Sequence, residues 1–90
     1  MLYVRHTVGS RLLYETTEYD ILTVDNGWEI SFRSDKESVA TLLKFQDELN
    51  IFHVEDNLKT WYYSSEGNVS LIEEESKVLI SVDHKTVYPV

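Results

Sequence analysis

Two short stretches hold the residue types that do acid–base or metal chemistry. In His53-Val54-Glu55 an imidazole and a carboxylate stand two residues apart, so on a strand they share one face. Asp83-His84 offers a second pair from a turn. Joined in space, His53, Glu55 and His84 would suit a metal ion or general acid–base catalysis in a small hydrolase or metal-dependent enzyme. The spacing has little specificity, because sixteen acidic residues in a ninety-residue chain adjoin histidines by chance. No glycine-rich phosphate loop, nucleophile elbow or zincin helix accompanies it. The chain has no cysteine, which removes thiolate metal sites, thiol nucleophiles and disulfides together. The expectation is a protein without catalytic residues, metal or cofactor. His6 is expected among apolar neighbours, beside Tyr14.

Two other stretches suit recognition. In Trp61-Tyr62-Tyr63, Trp61 and Tyr63 face one way on a strand and Tyr62 the other. Only one of those faces can fill a core, unless helix and loops cover both, and large amphipathic rings left outside favour protein interfaces. In Ser70 to Val82, SLIEEESKVLISV, Glu73, Glu74 and Glu75 fall between two strand-like runs. At a hairpin tip such a run is tolerable as solvated charge: at 4 Å in water a unit pair costs about 1 kcal/mol. It also suits steering toward a basic partner. The binding residues expected are Glu55, Asp56, Trp61, Tyr63, Glu66, Glu73, Glu74 and Glu75, the acids forming one field. In a meander, alternate turns emerge at one end, so Asp56 and the Glu73–Glu75 tip should share an end and Glu66 lie at the other.

Charge narrows the partners. Sixteen acids against eight bases give −8, which repels nucleic acid and anionic lipid. No basic stripe of the kind a nucleic-acid binder carries is visible. The start MLYVRHTVGS is interrupted by Arg5 and His6, so it is not expected to be a signal peptide. No segment approaches the ~18 apolar residues that span a bilayer. A soluble cytoplasmic protein is expected.

The elements that must position these residues are short alternating segments with one helix among them. Around Gly9-Ser10, a three-residue loop (Gly9 to Arg11) is preferred to a two-residue one. It sets Val8 opposite Leu12, His6 opposite Tyr14 and Val4 opposite Thr16, places Arg5 across from Glu15, and gathers Leu2, Val4, Val8, Leu12 and Tyr14 on one face. Asn26-Gly27 predicts a type I′ turn, with Thr23 opposite Ile30, Ile21 opposite Phe32, and Asp20 opposite Arg33. Ser34-Asp35-Lys36-Glu37 matches a capping box. Val39, Leu42, Leu43 and Leu49 then recur at helical spacing, with Phe45 widening the stripe, as far as a stop at Asn50. That stripe should pack on Tyr19, Ile21, Ile30 and Phe32. Asp56-Asn57 predicts a turn, and Leu71 should pair with Val78 and Val69 with Ile80. Asp83-His84-Lys85 predicts a last turn before Thr86 to Val90, where Pro89 implies an edge strand.

The fold expected is a single small α+β domain, residues 1–90. It has seven or eight mostly antiparallel strands as hairpins and meander, and one amphipathic helix (about 35–49) between the third and fourth strands. The function expected is a small acidic non-enzymatic binding protein. It would be an inhibitor occluding the basic surface of a nucleic-acid-handling protein, as phage anti-defence proteins, antitoxins and immunity proteins do. It would be a monomer or weak homodimer, without direct contact to nucleic acid or membrane. An accessory subunit pairing through the Thr86 to Val90 edge is the alternative.

Overall fold

A computed structural model describes residues 1–64, 68–72 and 76–89, with only the backbone described for 47 and 68–72. Among these residues nine strands surround one helix: β1 Leu2–His6, β2 Leu12–Thr16, β3 Tyr19–Val24, β4 Gly27–Arg33, α1 Lys36–Lys44, β5 Leu49–Glu55, β6 Leu58–Tyr63, β7 Asn68–Ile72, β8 Lys77–Val82 and β9 His84–Pro89. The helix follows the fourth strand and not the third. All pairings are antiparallel, in two sheets ordered β2-β1-β5-β6-β9 and β3-β4-β8-β7. The last five strands are therefore not one meander. The chain leaves the first sheet after β6 for the β7–β8 hairpin and returns to it with β9.

Alternation gives each sheet one apolar face, and the two faces close on each other. Leu2, Val4, Ile51 and Tyr62 from the first sheet and Ile30, Phe32, Val78, Ile80 and Val82 from the second form one core with Val39 and Leu42. The crossing angle follows from ring contacts. Tyr14, Val4, Ile51 and Tyr62 lie on one rung across the first sheet. The Tyr14 ring meets Phe32 at 5.1 Å, and the Tyr62 ring meets Trp28 at 5.7 Å. Three inter-strand steps cover about 14 Å, and the four residue steps from Trp28 to Phe32 along β4 cover about 13 Å. Strand β4 thus runs along a rung of the opposite sheet, which is orthogonal packing.

Both early hairpins differ from expectation in register. In β3–β4, Val24 faces Gly27, Ile21 faces Ile30 and Asp20 faces Ser31. The slip is of two residues, so every side chain keeps its expected face. Its cause is tertiary. Gly27 does not serve in a type I′ turn; at φ 150° it lets β8 approach, and a β-carbon built there would stand 2.0 Å from the Val82 carbonyl oxygen. In β1–β2, Val4 faces Tyr14 and Arg5 faces Leu12, with a bulge between. Arg5 therefore does not oppose Glu15. His6 N–H donates to the Arg11 carbonyl (2.8 Å), and Thr7 N–H donates to the Glu48 carbonyl (2.9 Å). The turn begins at Thr7 and leaves Val8 and Leu12 exposed. Competition from β5 for the end of β1 selects this register.

The helix is shorter than its apolar spacing suggests. Asp35, not Ser34, caps it: its Oδ1 accepts from Ser38 N–H at 2.7 Å and its Oδ2 from Ser38 Oγ–H at 3.2 Å. Those bonds hold the Asp35 carboxyl below the usual range. Ser34 is buried, and its hydroxyl has no hydrogen-bond partner among the described residues. A 3-10 turn over Gln46–Glu48 follows, and Leu49 begins β5 opposite His6. Val39 and Leu42 reach the core alongside Ile30 and Phe32, while Tyr19, Ile21, Leu43 and Leu49 pack at its margin. α1 itself lies against β2 and β7, one edge strand of each sheet.

The β5–β6 turn at Asp56-Asn57 and the pairs Val69–Ile80 and Leu71–Val78 stand as expected. So does Pro89 on an edge strand, although β9 starts at His84 rather than after a turn. Leu42 is fully buried, so Leu42→Ala should cost about 2–5 kcal/mol in urea unfolding. Gly27→Ala should cost on the order of 1–3 kcal/mol through strain and the displaced β8 backbone, lowering the unfolding midpoint although Gly27 ends a surface hairpin.

Candidate functional site

The outer face of the five-stranded sheet is built from residues that alternate with the core. Because Asp56-Asn57 closes the β5–β6 turn, Phe52 falls opposite Trp61, and Tyr3 on β1 falls opposite Phe52. On β9, Thr86 faces Trp61 and His84 faces Tyr63. Tyr62 points the other way and is buried. The split of the aromatic triplet between two faces stands as expected; the structure decides that Tyr62 is inside and the half-buried Trp61 and Tyr63 outside.

The outer rings form a ladder. Phe52 and Trp61 lie 6.4 Å apart at 19°, Trp61 and Tyr63 4.3 Å apart at 31°, and Tyr63 and His84 5.2 Å apart at 16°. Near-parallel stacking at these distances is worth about 0.5–1.5 kcal/mol per pair beyond area burial. Lys59 Nζ stands 4.5 Å from the Phe52 centroid, a cation–π contact over one end of the ladder. Trp61 Nε1–H donates to Asn50 Oδ1 at 3.1 Å, fixing the indole. His84 Nδ1 lies 2.6 Å from Asp83 Oδ1. The rings turn their faces to one another, so the ladder offers edges and flanks to the outside. That geometry suits packing against protein side chains more than the intercalation of nucleobases, which requires open π-faces. Sequence reasoning named Trp61 and Tyr63 but missed Phe52, Lys59, Asn50 and the outward role of His84. Pairing outward from Asp56-Asn57 would have found the first two.

The acid–base constellation is not assembled. His53 pairs with Thr60 and His84 with Tyr63. Thr60 and Tyr63 differ by an odd number of positions, so the two imidazoles lie on opposite faces of the sheet. Among the described residues no group of three or more His, Asp or Glu side chains could hold a metal ion. His53 instead sits at the open end of the core side, its Nε2 3.4 Å from Glu55 and its ring 5.3 Å from Tyr19. Burial lowers the His53 pKa; Glu55 opposes this, and the Met1 amino group adds to it. Burial, then Glu55, raises the Tyr19 pKa. His6 is not beside Tyr14: its Nε2 lies 2.6 Å from Glu48 and its ring 4.4 Å from Phe45.

The expected acidic field is described only in part. Glu55 and Asp56 are exposed at the β5–β6 turn, where Asp56 takes φ 53°. Glu66, Glu73, Glu74 and Glu75 lie outside the described residues. The expectation that Asp56 and the Glu73–Glu75 tip share one end of a meander loses its premise, because β5–β6 and β7–β8 belong to different, crossing sheets. Comparison of the chain with protein-family models, curated proteins and solved structures gives no match.

A lowered folded pKa means that the unfolded chain binds the His53 proton more readily. The associated stability is complete above the ordinary value of 6.5. It declines as pH falls through 6.5 toward the folded pKa. In an NMR titration His53 should show a midpoint below 6.5, and His53→Gln should flatten the loss of stability between about pH 7 and 5.

Proposed function

We propose that this chain is a non-enzymatic cytoplasmic binding protein that covers a basic surface of a partner, of the kind found on nucleic-acid-handling proteins. The observation that carries the reading is the aromatic ladder of Phe52, Trp61, Tyr63 and His84 on a sheet face opposite the core. Its core side already uses Tyr62, Ile51, Val4 and Leu2, so the outer rings are not needed to fill the interior. Aromatic clusters of this kind are the residues most enriched at interface centres. The ladder shares its face with Arg5 and Lys59, so it is an anchor rather than a copy of a phosphate backbone. The net charge of −8 supplies the long-range term: it disfavours nucleic acid and favours a basic protein. Asp56 at the β5–β6 turn, and Glu55 beside it on the His53 side of β5, are exposed at one end of the sheet, where charge steers encounter.

Association and dissociation should therefore respond to different residues. A partner captured on the immobilised protein and identified by mass spectrometry supplies the analyte for surface plasmon resonance. Trp61→Ala should raise its dissociation rate at every salt concentration. Replacing Glu55, Asp56 and Glu73 to Glu75 with their amides should slow association, and this effect should fade at about 0.5 M salt, where screening acts within a few ångströms. Wild-type dissociation from Trp61→Ala would remove the ladder from the interface.

A further inference from the structure

Each sheet of an open sandwich has two edge strands, and unpaired edges invite added strands unless something blunts them. Among the described residues, three of the four edges are blunted. β2 carries the bulged register and, like β7, lies against α1. β9 contains Lys85 and ends in Pro89, two residues that discourage pairing along an edge. β3 has none of these devices. Its six residues, Tyr19–Val24, pair with β4 in unbroken register, and they contain no proline and no lysine. No other backbone hydrogen bond reaches them among the described residues. Leu22 and Val24 are 61% and 37% exposed on the side away from the core.

Charge says what fits that edge. From Leu12 to Phe32 the chain carries Glu15, Glu18, Asp20, Asp25 and Glu29 and no lysine or arginine. Asp20 lies on β3, Glu18 and Asp25 flank it, and Glu29 faces Leu22 across the ladder. A second copy of this chain would bring the same acids against themselves, whereas a strand alternating basic and apolar residues would meet them with opposite charge. We propose that β3 is a docking edge that takes up an extended lysine- or arginine-rich segment of a partner protein as an added strand. Main-chain hydrogen bonds would supply affinity, and Leu22, Val24 and the flanking carboxylates would supply selectivity. The proposal shares with the preceding reading the basic character of the partner, but it places a contact at a different site from the Trp61 ladder.

The probe is an acetylated, amidated octapeptide alternating lysine and valine, with a glutamate–valine peptide as its control. Both are titrated into the isotopically labelled full chain and followed by amide NMR and hydrogen exchange. The expected result is that the lysine peptide shifts amides of residues 19–24 and slows exchange at alternate positions about tenfold or more. The glutamate peptide should do neither. Leu22→Lys, a substitution at an exposed edge position, should abolish the effect with the melting temperature unchanged. Asp20→Asn with Asp25→Asn should weaken the peptide without abolishing it, which keeps the test open if Leu22→Lys fails to fold. Trp61→Ala should leave peptide binding intact, so failure of the ladder and failure of the edge are told apart. Shifts centred on Phe52, Trp61 and Tyr63 with β3 silent would overturn the proposal. So would undiminished binding by Leu22→Lys, or a dimer in sedimentation whose 19–24 amides are protected without peptide.

Discussion

The structure depends on one line of contact, where β4 crosses a rung of the opposite sheet. Tyr14 stacks on Phe32 at one end of the line, and Tyr62 meets Trp28 edge-on at the other. Ile30 lies between them, fully buried with Val4 and Ile51. Burial of such side chains contributes roughly 1.5–3 kcal/mol each, and here it comes from strands far apart in sequence. The Tyr14 hydroxyl also donates to the Arg33 carbonyl at 2.9 Å, tying the first sheet to the end of β4 from which the chain enters α1. Because the crossing is steep, a corner is left between β2 and β7, and α1 fills it with Val39 and Leu42.

That arrangement dictates what the surfaces hold. A strand has two faces, and once Tyr62 and Ile51 are committed to the core, their neighbours Trp61, Tyr63 and Phe52 must point outward. The rings reduce their contact with water by stacking on each other, and Lys59 and Asn50 complete their polar environment. The ladder is thus locally stable without a partner, yet it keeps large, rigid groups on an accessible face. Edge chemistry follows from the same geometry. The helix that fills the corner also shields two edges, leaving the far pair, β9 and β3, to differ in sequence: one with lysine and proline, the other with exposed leucine and valine among carboxylates.

Much of this was legible in the chain, wherever the deciding interaction is local. The Asp56-Asn57 turn and the β7–β8 pairing of Val69 with Ile80 follow from turn residues flanked by alternation. The inward set of β3 and β4 was right even with the register slipped, because a slip of two residues preserves faces. That Trp61 and Tyr63 share one side of β6 followed from the period of two, but which side faces the core did not. The errors fall where a distant segment competes. Gly27 reads as half of a primed turn, but the approach of Val82 uses its missing side chain. Val8 reads as part of an apolar face, but the Glu48 carbonyl draws Thr7 into another pairing. Leu49 fits a helical stripe, but it is held in β5 opposite His6.

Local signals along the chain specify an acidic, cysteine-free α+β domain of short antiparallel strands with one helix, and the apolar side of most strands. Those properties rest on composition, on side-chain period and on turn residues, all of which act within a few positions of the chain. Long-range packing divides the strands between two crossed sheets, since every amphipathic strand carries the same alternating signal whichever sheet it joins. It likewise decides that His53 and His84 stand on opposite faces, that Phe52 and His84 extend the Trp61–Tyr63 pair, and that among the described residues β3 is the edge without a bulge, proline, lysine or covering helix. Each of these depends on which strands become neighbours, and that choice is set by the packing of the whole core.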